Sequence, residues 1–312
     1  MERVPVGLDI GYGYTKIVTS AGRWIFPTIV GRAEEIAFQS ETLGGVSEVQ
    51  VVEYDGRRYF VGEAAERFSL ITLDRRDREW VKSAQYGILA LSAWMRAGLL
   101  DRPCHVVTGL PVEYYADKGS IVDLFKGGQL SRIIAPIVKI IPQPFGTLFN
   151  LILKDDGSVE DEALALKTVG VIDVGYQTTD CILVDRLDYI ESSSGTSLGI
   201  SAASETVGRE IKRRTTRSFL RRTEIDEATS NPIGSLAAPI VETLATHIEH
   251  FAKTLWAHRG QPDIVVLTGG GILLVGPYLR EAFAKARVAD EPQLANARGY
   301  WKYARYLLNN EA

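Results

Sequence analysis

One short pattern occurs twice in the chain and constrains its fold more than any other feature. The copies cover residues 6–18 and 168–184. Each has an apolar strand, an aspartate, a glycine two residues later, a polar turn and a second apolar strand, which predicts a hairpin with a glycine-rich tip. The two aspartates, Asp9 and Asp173, lie 173 − 9 = 164 positions apart. A repeat at half the chain length predicts two related domains rather than a solenoid, whose period is roughly 20–50 residues.

Length and charge agree with a two-domain globular chain. The 312 residues suit about two domains at roughly 150 residues each, and the formal net charge of −4 gives no overall electrostatic footprint for nucleic acid. The beginning of the sequence lacks an apolar signal-peptide core, and no stretch approaches the ~20 apolar residues of a membrane span. We therefore expect a cytoplasmic protein that contacts neither nucleic acid nor membrane directly.

Apolar periodicity and turn residues predict the remaining elements. A small lobe contains a hairpin of strands 49–54 and 58–61 turned at Asp55 and Gly56. Further strands are predicted at 104–110, 133–141, 187–191 and 263–267, with a turn at 195–199. Helices are predicted at 78–98, 112–126, 145–153, 200–216, 224–228, 235–258, 278–286 and 293–309.

The two glycine-tipped turns are candidates for phosphate binding, because glycine lets backbone N–H groups converge on an anion. One such turn alone is more often only a turn. The second copy, and a third glycine cluster that follows a buried strand at 269–271, favour a binding site. Asp9 and Asp173 would suit a hydrated Mg²⁺ ion, and Lys16 would neutralise phosphate charge. The chain has neither a GxxxxGK[ST] sequence nor a GxGxxG fingerprint after a strand.

Five segments, in order along the chain, resemble the motifs of the actin, sugar-kinase and heat-shock-chaperone ATPase superfamily. They are two phosphate loops, two connecting segments and an adenosine motif, at 9–16, 140–147, 173–180, 267–272 and 294–299. Within this superfamily, the chain most resembles the ParM-type bacterial and archaeal actins. The resemblance lies in the tract 6–16, the Pro-Gln-Pro sequence around Gln143, the Ala-Asn-Ala-Arg-Gly sequence near the end and the short length of the chain.

This resemblance implies an α/β, actin-like (ribonuclease H-like) fold with duplicated domains and a nucleotide cleft between them. We expect domain I at 1–168 with an inserted lobe at about 29–78, and domain II at 169–294. Residues 295–312 would form a helix that returns to domain I.

The resemblance also implies ATP/ADP and Mg²⁺ as cofactors. Gln143 would orient the attacking water, and Asp9 and Asp173 would act in catalysis and hold Mg²⁺ through water. Glu205 and Lys212 are candidates for ribose or adenine contact, although Lys212 also suits a solvated helix face. The other expected nucleotide contacts are Gly11, Tyr12, Gly13, Tyr14, Thr15, Lys16, Gly175, Tyr176, Gln177, Thr178, Thr179, Gly269, Gly270, Gly271 and Ile272.

The function implied is ATP-driven assembly into filaments, with hydrolysis timing disassembly, for plasmid or DNA segregation. The partners would be further copies of the chain and a DNA-binding adaptor protein. Two alternatives stay open: a small-molecule kinase that uses Asp173, and a nucleotide-binding scaffold without turnover, because Gln143 stands in place of an acid. The basic run 209–222 suits a solvated face, a filament contact or an acidic partner.

Overall fold

The computed structural model describes residues 3–34, 50–73, 78–127, 130–214 and 237–311, together with Ile225 and Thr229. Its strands are β1 Val4–Ile10, β2 Tyr14–Thr19, β3 Gly22–Pro27, β4 Val30–Arg32, β5 Val51–Tyr54, β6 Arg57–Val61, β7 Thr72–Leu73, β8 Pro103–Leu110, β9 Ile134–Pro142, β10 Thr168–Val174, β11 Thr178–Asp185, β12 Asp188–Tyr189, β13 Gly195–Leu198, β14 Ile264–Thr268 and β15 Ala286–Val288. Its α-helices are α1 Glu63–Phe68, α2 Ala84–Arg96, α3 Lys118–Lys126, α4 Phe145–Ile152, α5 Glu162–Ala165, α6 Ile200–Arg214, α7 Ala237–Trp256, α8 Ile272–Ala282 and α9 Ala295–Asn309.

Two of the sheets are built on the same plan. The first has the strand order β3-β2-β1-β8-β9, and the second has the order β12-β11-β10-β14-β15, with β13 paired to β11. In each, an antiparallel hairpin (β1–β2 or β10–β11) is followed by two strands that run parallel to its first strand. The chain therefore has the predicted duplicated α/β, actin-like fold.

Strand register brings the predicted site residues to one edge of each sheet. Asp9 pairs with Lys16 near the tip of the first hairpin, and Asp173 pairs with Asp180 and with Thr268 in the second sheet. The parallel neighbours β9 and β14 end at the same edges and lead directly into Gln143 and the glycine cluster. Carboxyl ends of parallel strands are where open α/β sheets bind ligands, so the fold places both hairpin tips at such edges.

Helix α9 packs closely on the first sheet. A side chain at Gly7 of β1 would overlap the backbone of Ala297 and Trp301, and one at Gly299 would overlap the backbone of Gly146 on α4. Glycine at these positions permits the close approach of backbones. The chain thus returns from the second sheet to cover the first.

A four-stranded sheet of order β5-β6-β4-β7 forms the smaller lobe. Its β5–β6 hairpin confirms the predicted turn, where Asp55 and Gly56 both adopt positive φ angles of 51° and 67°. Part of the predicted lobe, residues 35–49 and 74–77, lies outside the described residues, as does nearly all of the predicted helix 224–228.

Several predicted elements were wrong in kind or extent. The helix expected at 278–286 begins at Ile272 and ends at Ala282, and residues 286–288 form a strand that extends the second sheet. The helix continues through Pro277, although proline removes a hydrogen-bond donor from the backbone. The turn expected at 195–199 is strand β13, because it pairs with β11.

Other differences are smaller. The strand expected at 187–191 is only Asp188–Tyr189, since a 3₁₀ turn, Glu191–Ser193, follows it. The helices expected at 78–98 and 112–126 each begin as a 3₁₀ turn, Arg78–Lys82 and Val112–Asp117, before the α-helix. Within the described ranges, no helix is both long enough and apolar enough to cross a membrane.

Candidate functional site

A cavity of about 470 Å³ lies between the edges of the two large sheets. Its walls come from both halves, including the two hairpin tips, the segment after β9 and the cluster after β14. Most predicted site residues line it: Asp9, Gly11, Tyr12, Gly13, Tyr14, Lys16, Gln143, Asp173, Gly175, Tyr176, Gln177, Thr178, Gly269, Gly270 and Gly271. The volume lies within the usual range of small-molecule sites, roughly 300–1,000 Å³.

Three predicted contact residues are enclosed in the protein beside the cavity instead of lining it. The hydroxyl of Thr15 is hydrogen-bonded to that of Thr28 at 3.0 Å, and the hydroxyl of Thr179 donates to the Leu198 carbonyl at 2.7 Å. Ile272 is 3% exposed within the core of the second half. The hydroxyl groups of the two threonines are hydrogen-bonded within the protein, and Ile272 is buried in the core. These side chains therefore support the walls of the cavity.

The structure does not bring Glu205 and Lys212 to the cavity. Helix α6 turns Ile200 and Ser204, one turn apart, toward it, whereas Glu205 and Lys212 are exposed on other faces. Ser204 is 3% exposed, and its hydroxyl has no hydrogen-bond partner within the described residues. An unpaired buried hydroxyl beside a cavity is a candidate ligand contact, because leaving it unpaired costs free energy. A serine on an amphipathic helix gives no such signal in the sequence.

The hairpin tips close by the same backbone hydrogen bond. The N–H of Gly11 donates to the Tyr14 carbonyl at 3.1 Å, and the N–H of Gly175 donates to the Thr178 carbonyl at 2.9 Å. Both glycine N–H groups are therefore used within their turns. Of the N–H groups expected to bind phosphate, those of Gly11 and Gly175 therefore shape the turns.

Asp9 is held by two side chains. It is 1% exposed, and its Oδ2 accepts from Lys16 Nζ at 2.8 Å while its Oδ1 accepts from Gln143 Nε2 at 2.8 Å. A carboxylate only accepts hydrogen bonds, so the NH₂ side of the glutamine amide must face it. The carbonyl oxygen of the Gln143 side chain is thereby left as an acceptor, which is the atom needed to orient a water molecule.

Two buried carboxyl groups face the cavity from the second half. Burial raises the pKa of Asp173 to about 6, with a further contribution from the Asp9 carboxylate, against a 2.6 Å hydrogen bond from Asn296 Nδ2. Burial also raises the pKa of Asp180 to about 7, and Thr196 donates to its Oδ1 at 2.6 Å. Asp180 lies within the repeated motif but was not among the predicted site residues. Side chains alternate between the two faces of a strand, and the hairpin pairs Asp180 with Asp173. This alternation is the sequence signal that could have identified Asp180.

The carboxylates fit a hydrated metal ion better than a bare one. Across the described ranges, no group of three or more His, Cys, Asp and Glu side chains is close enough to hold a metal ion directly. Asp9 and Asp173 nevertheless face one cavity from opposite halves. Mg²⁺ usually keeps several waters and takes one or two carboxylates together with substrate phosphates, so these residues fit it.

Family models account for both halves of the chain. The model described as "Actin like proteins N terminal domain" matches residues 7–146, and the one described as "Archaeal actin homologue MreB-like, C-terminal" matches residues 171–281. The chain belongs to the actin-like proteins. The two matched ranges cover most of the two large sheets and both hairpin tips, so family membership agrees with the strand topology.

Known relatives are similar to this protein over nearly the whole chain. Archaeal actin homologs from Thermoplasma acidophilum and Thermoplasma volcanium are each 26% identical, over 95% of this actin-like chain and 97% of their own. A 15-stranded ParM filament from Clostridium botulinum matches with a TM-score of 0.78 and 22% identity, over 98% of this chain and 99% of that one. An archaeal actin homolog in complex with ADP matches with a TM-score of 0.73 and 21% identity, over 96% of this chain and 99% of that one.

Proposed function

We propose that this actin-like chain binds ATP with Mg²⁺ in the cavity between its halves and hydrolyses it during assembly into filaments. One observation carries the proposal: the Gln143 side chain is fixed on Asp9 at 2.8 Å, in a cavity that Asp173 enters from the other half. A phosphoryl group held between the two glycine turns would have a charge-neutralising lysine and a water-orienting amide on one side.

The relatives support the ligand and the assembly. An archaeal actin homolog of the same fold was solved with ADP, and a ParM from Bacillus thuringiensis was solved with AMPPNP. Another ParM was solved as a filament. The duplicated fold and the cavity of this chain suit the same type of ligand.

The chemistry would be mainly positioning. Phosphoryl transfer passes through a loose transition state, so catalysis depends on alignment and charge stabilisation more than on a strong base. Lys16 would neutralise phosphate charge, and the Gln143 carbonyl would accept a hydrogen bond from the attacking water. Asp9 and Asp173 would hold Mg²⁺ through its water shell, and the ion would supply charge neutralisation on the phosphates.

The proposal extends to organisation and cargo. We assign 1–168 to domain I, with a lobe at about 29–78, 169–294 to domain II, and 295–312 to a segment that returns to domain I. The packing of α9 on β1 supports the last assignment. The filament would move or segregate DNA, such as a plasmid, in the cytoplasm through a separate DNA-binding adaptor.

Light scattering and electron microscopy with ATP and Mg²⁺ test the proposal, with ADP and with EDTA as the matched conditions. We expect scattering to rise above a critical protein concentration and filaments to be visible only with the triphosphate and the metal. Phosphate release, measured in parallel, should need no added acceptor. Absence of filaments over a wide range of protein and salt concentrations would contradict assembly, and release that depends on a small-molecule acceptor would indicate a kinase.

A further inference from the structure

Helix α9 carries two buried polar side chains at the cavity, of which Asn296 lines it and Tyr300 does not. Asn296 and Tyr300 are four residues apart and therefore lie on the same face of the helix. Asn296 is 5% exposed, and Tyr300 is fully buried. Each contacts one of the groups proposed to act on the nucleotide, and those groups belong to different halves of the fold.

Asn296 fixes the carboxyl group of Asp173. The backbone N–H of Thr147 donates to Asn296 Oδ1 at 3.1 Å, and the Thr147 hydroxyl donates to the same oxygen at 2.8 Å. A backbone N–H can only donate, so the oxygen of the amide must face α4 and its NH₂ group must face Asp173. The resulting hydrogen bond from Nδ2 to Asp173 Oδ2 is 2.6 Å long. One side chain thus joins α4 to the end of β10.

Tyr300 fixes the backbone at Gln143. Its hydroxyl donates to the Gln143 carbonyl at 2.9 Å. Burial and the nearby carboxylates of Asp9 and Asp173 raise the pKa of Tyr300 well above its ordinary value of 10, so the hydroxyl stays protonated and remains a donor. The Gln143 N–H is held as well, by the Leu110 carbonyl at 2.8 Å. The peptide groups on both sides of Gln143 are therefore hydrogen-bonded, and the Gln143 carbonyl also accepts from the Gly146 N–H at 3.1 Å.

Tight packing leaves this arrangement little freedom. A side chain at Gly109 would overlap the Tyr300 hydroxyl, and one at Gly146 would lie 2.6 Å from the Asn296 carbonyl. Both glycines belong to elements that end or begin beside Gln143. Helix α9 therefore packs so closely on these two segments that a residue larger than glycine at position 109 or 146 would clash with it.

We propose that Asn296 and Tyr300 are positioning residues of the nucleotide site, through which one face of α9 sets the place of Asp173 relative to Gln143. The inference rests on the proposed function. It assigns to α9 a part in hydrolysis although neither side chain needs to touch the phosphates.

The first arm of the test removes one hydroxyl. Tyr300→Phe leaves the ring in place but removes one of the two hydrogen bonds to the Gln143 carbonyl, and Tyr303→Phe removes the same atom from the same helix, where the ring stacks on Phe149 at 4.1 Å. We expect Tyr300→Phe to lower kcat for phosphate release about tenfold, with nucleotide affinity within about twofold of wild type. Tyr303→Phe should change neither. Equal kcat in the two variants, or an equal loss of affinity and kcat in Tyr300→Phe, would overturn the role of Tyr300.

The second arm uses binding alone. Asn296→Ala removes the N–H donor from Asp173 and the oxygen from Thr147 without adding charge to the cavity. The affinity for a non-hydrolysable ATP analogue is measured with Mg²⁺ and with EDTA. We expect Asn296→Ala to lower the Mg²⁺-dependent gain in affinity about tenfold, while its affinity in EDTA stays near wild type.

The outcomes separate the two proposals. A wild-type protein that binds no nucleotide would overturn the proposed function and this inference together. Wild-type binding and turnover, with Asn296→Ala retaining the full Mg²⁺ effect, would overturn only the role of Asn296. Circular dichroism identifies a variant that fails to fold; in that case Tyr300→Phe, which removes a single atom, decides the positioning role.

Discussion

Gln143 and Asp9 are joined by a 2.8 Å hydrogen bond although 134 positions separate them in the chain. The second oxygen of Asp9 is paired with Lys16, so the carboxylate has a fixed orientation at the tip of the first hairpin. The hydrogen bond to Asp9 also orients the side-chain amide of Gln143, with its NH₂ group toward Asp9 and its carbonyl oxygen away from it. These two hydrogen bonds fix the positions of Asp9, Lys16 and Gln143 relative to one another.

Replacing Gln143 by Ala should slow hydrolysis and leave binding nearly intact. The substitution removes the water-orienting oxygen but no phosphate contact, so we expect phosphate release at saturating ATP to fall by about tenfold to a hundredfold. Nucleotide titration should give a dissociation constant within about threefold of wild type. An unchanged release rate would show that another group orients the water; near-zero rates in both proteins would indicate a scaffold without turnover.

Ser204 should contribute to nucleotide affinity, whereas Glu205 and Lys212 should not. Ser204→Ala removes a buried hydroxyl that faces the cavity, and one hydrogen bond of this kind is worth about 1 kcal/mol, or roughly fivefold in affinity. Glu205→Ala and Lys212→Ala alter exposed positions of the same helix. Calorimetric titration of the three variants measures the difference, and a larger effect from either exposed residue would restore the assignment made from the sequence.

Asp180 should make the ligand-free protein less stable at high pH. Burial raises the pKa of Asp180 to about 7, while an unfolded chain gives about 3.9. The folded state therefore holds the proton more tightly, so this contribution to stability is full below pH ~4 and is lost as pH rises through 7. Between pH 5 and 8 the loss in the free energy of unfolding is about 3 kcal/mol.

The variant Asp180→Asn stays neutral and keeps an acceptor for Thr196, so its thermal midpoint should fall less than that of wild type over this pH range. Denaturation is followed without nucleotide or metal. Asp188→Asn, at an exposed position, is the matched control and should follow wild type. Parallel pH curves for wild type and Asp180→Asn would contradict the prediction.

Two glycine substitutions should have opposite effects on stability. Gly299→Ala places a methyl group on the backbone of Gly146, where neither helix can give way, and should lower the free energy of unfolding by about 3 kcal/mol. Gly119→Ala adds a methyl group in open space on α3, and should raise it by about 0.5–1 kcal/mol through helix propensity. Urea titration distinguishes them, and a neutral Gly299→Ala would mean that α9 and α4 separate easily.

The sequence predicted those parts of the site that depend on local chemistry. The hairpin tips and the glycines at 269–271 follow from turn residues and from strands with a period of two, and all of them line the cavity. Ser204 and Tyr300 were not predicted, because an isolated serine or tyrosine on a helix acquires its role only from packing between distant segments. Glu205 and Lys212 were assigned to the cavity although the rotation of α6 turns them outward, since helical register was not fixed by any local signal.

The close contact between β1 and α9 also has a consequence for how the protein is made. Gly7 lies against residues 297 and 301, so one face of the first strand stays uncovered until the ribosome has synthesised almost 300 further residues. Contacts of such long range form late and slow folding. The face of the first strand that packs on α9 therefore remains without its native cover through most of translation, and this interval is when binding by chaperones would matter most.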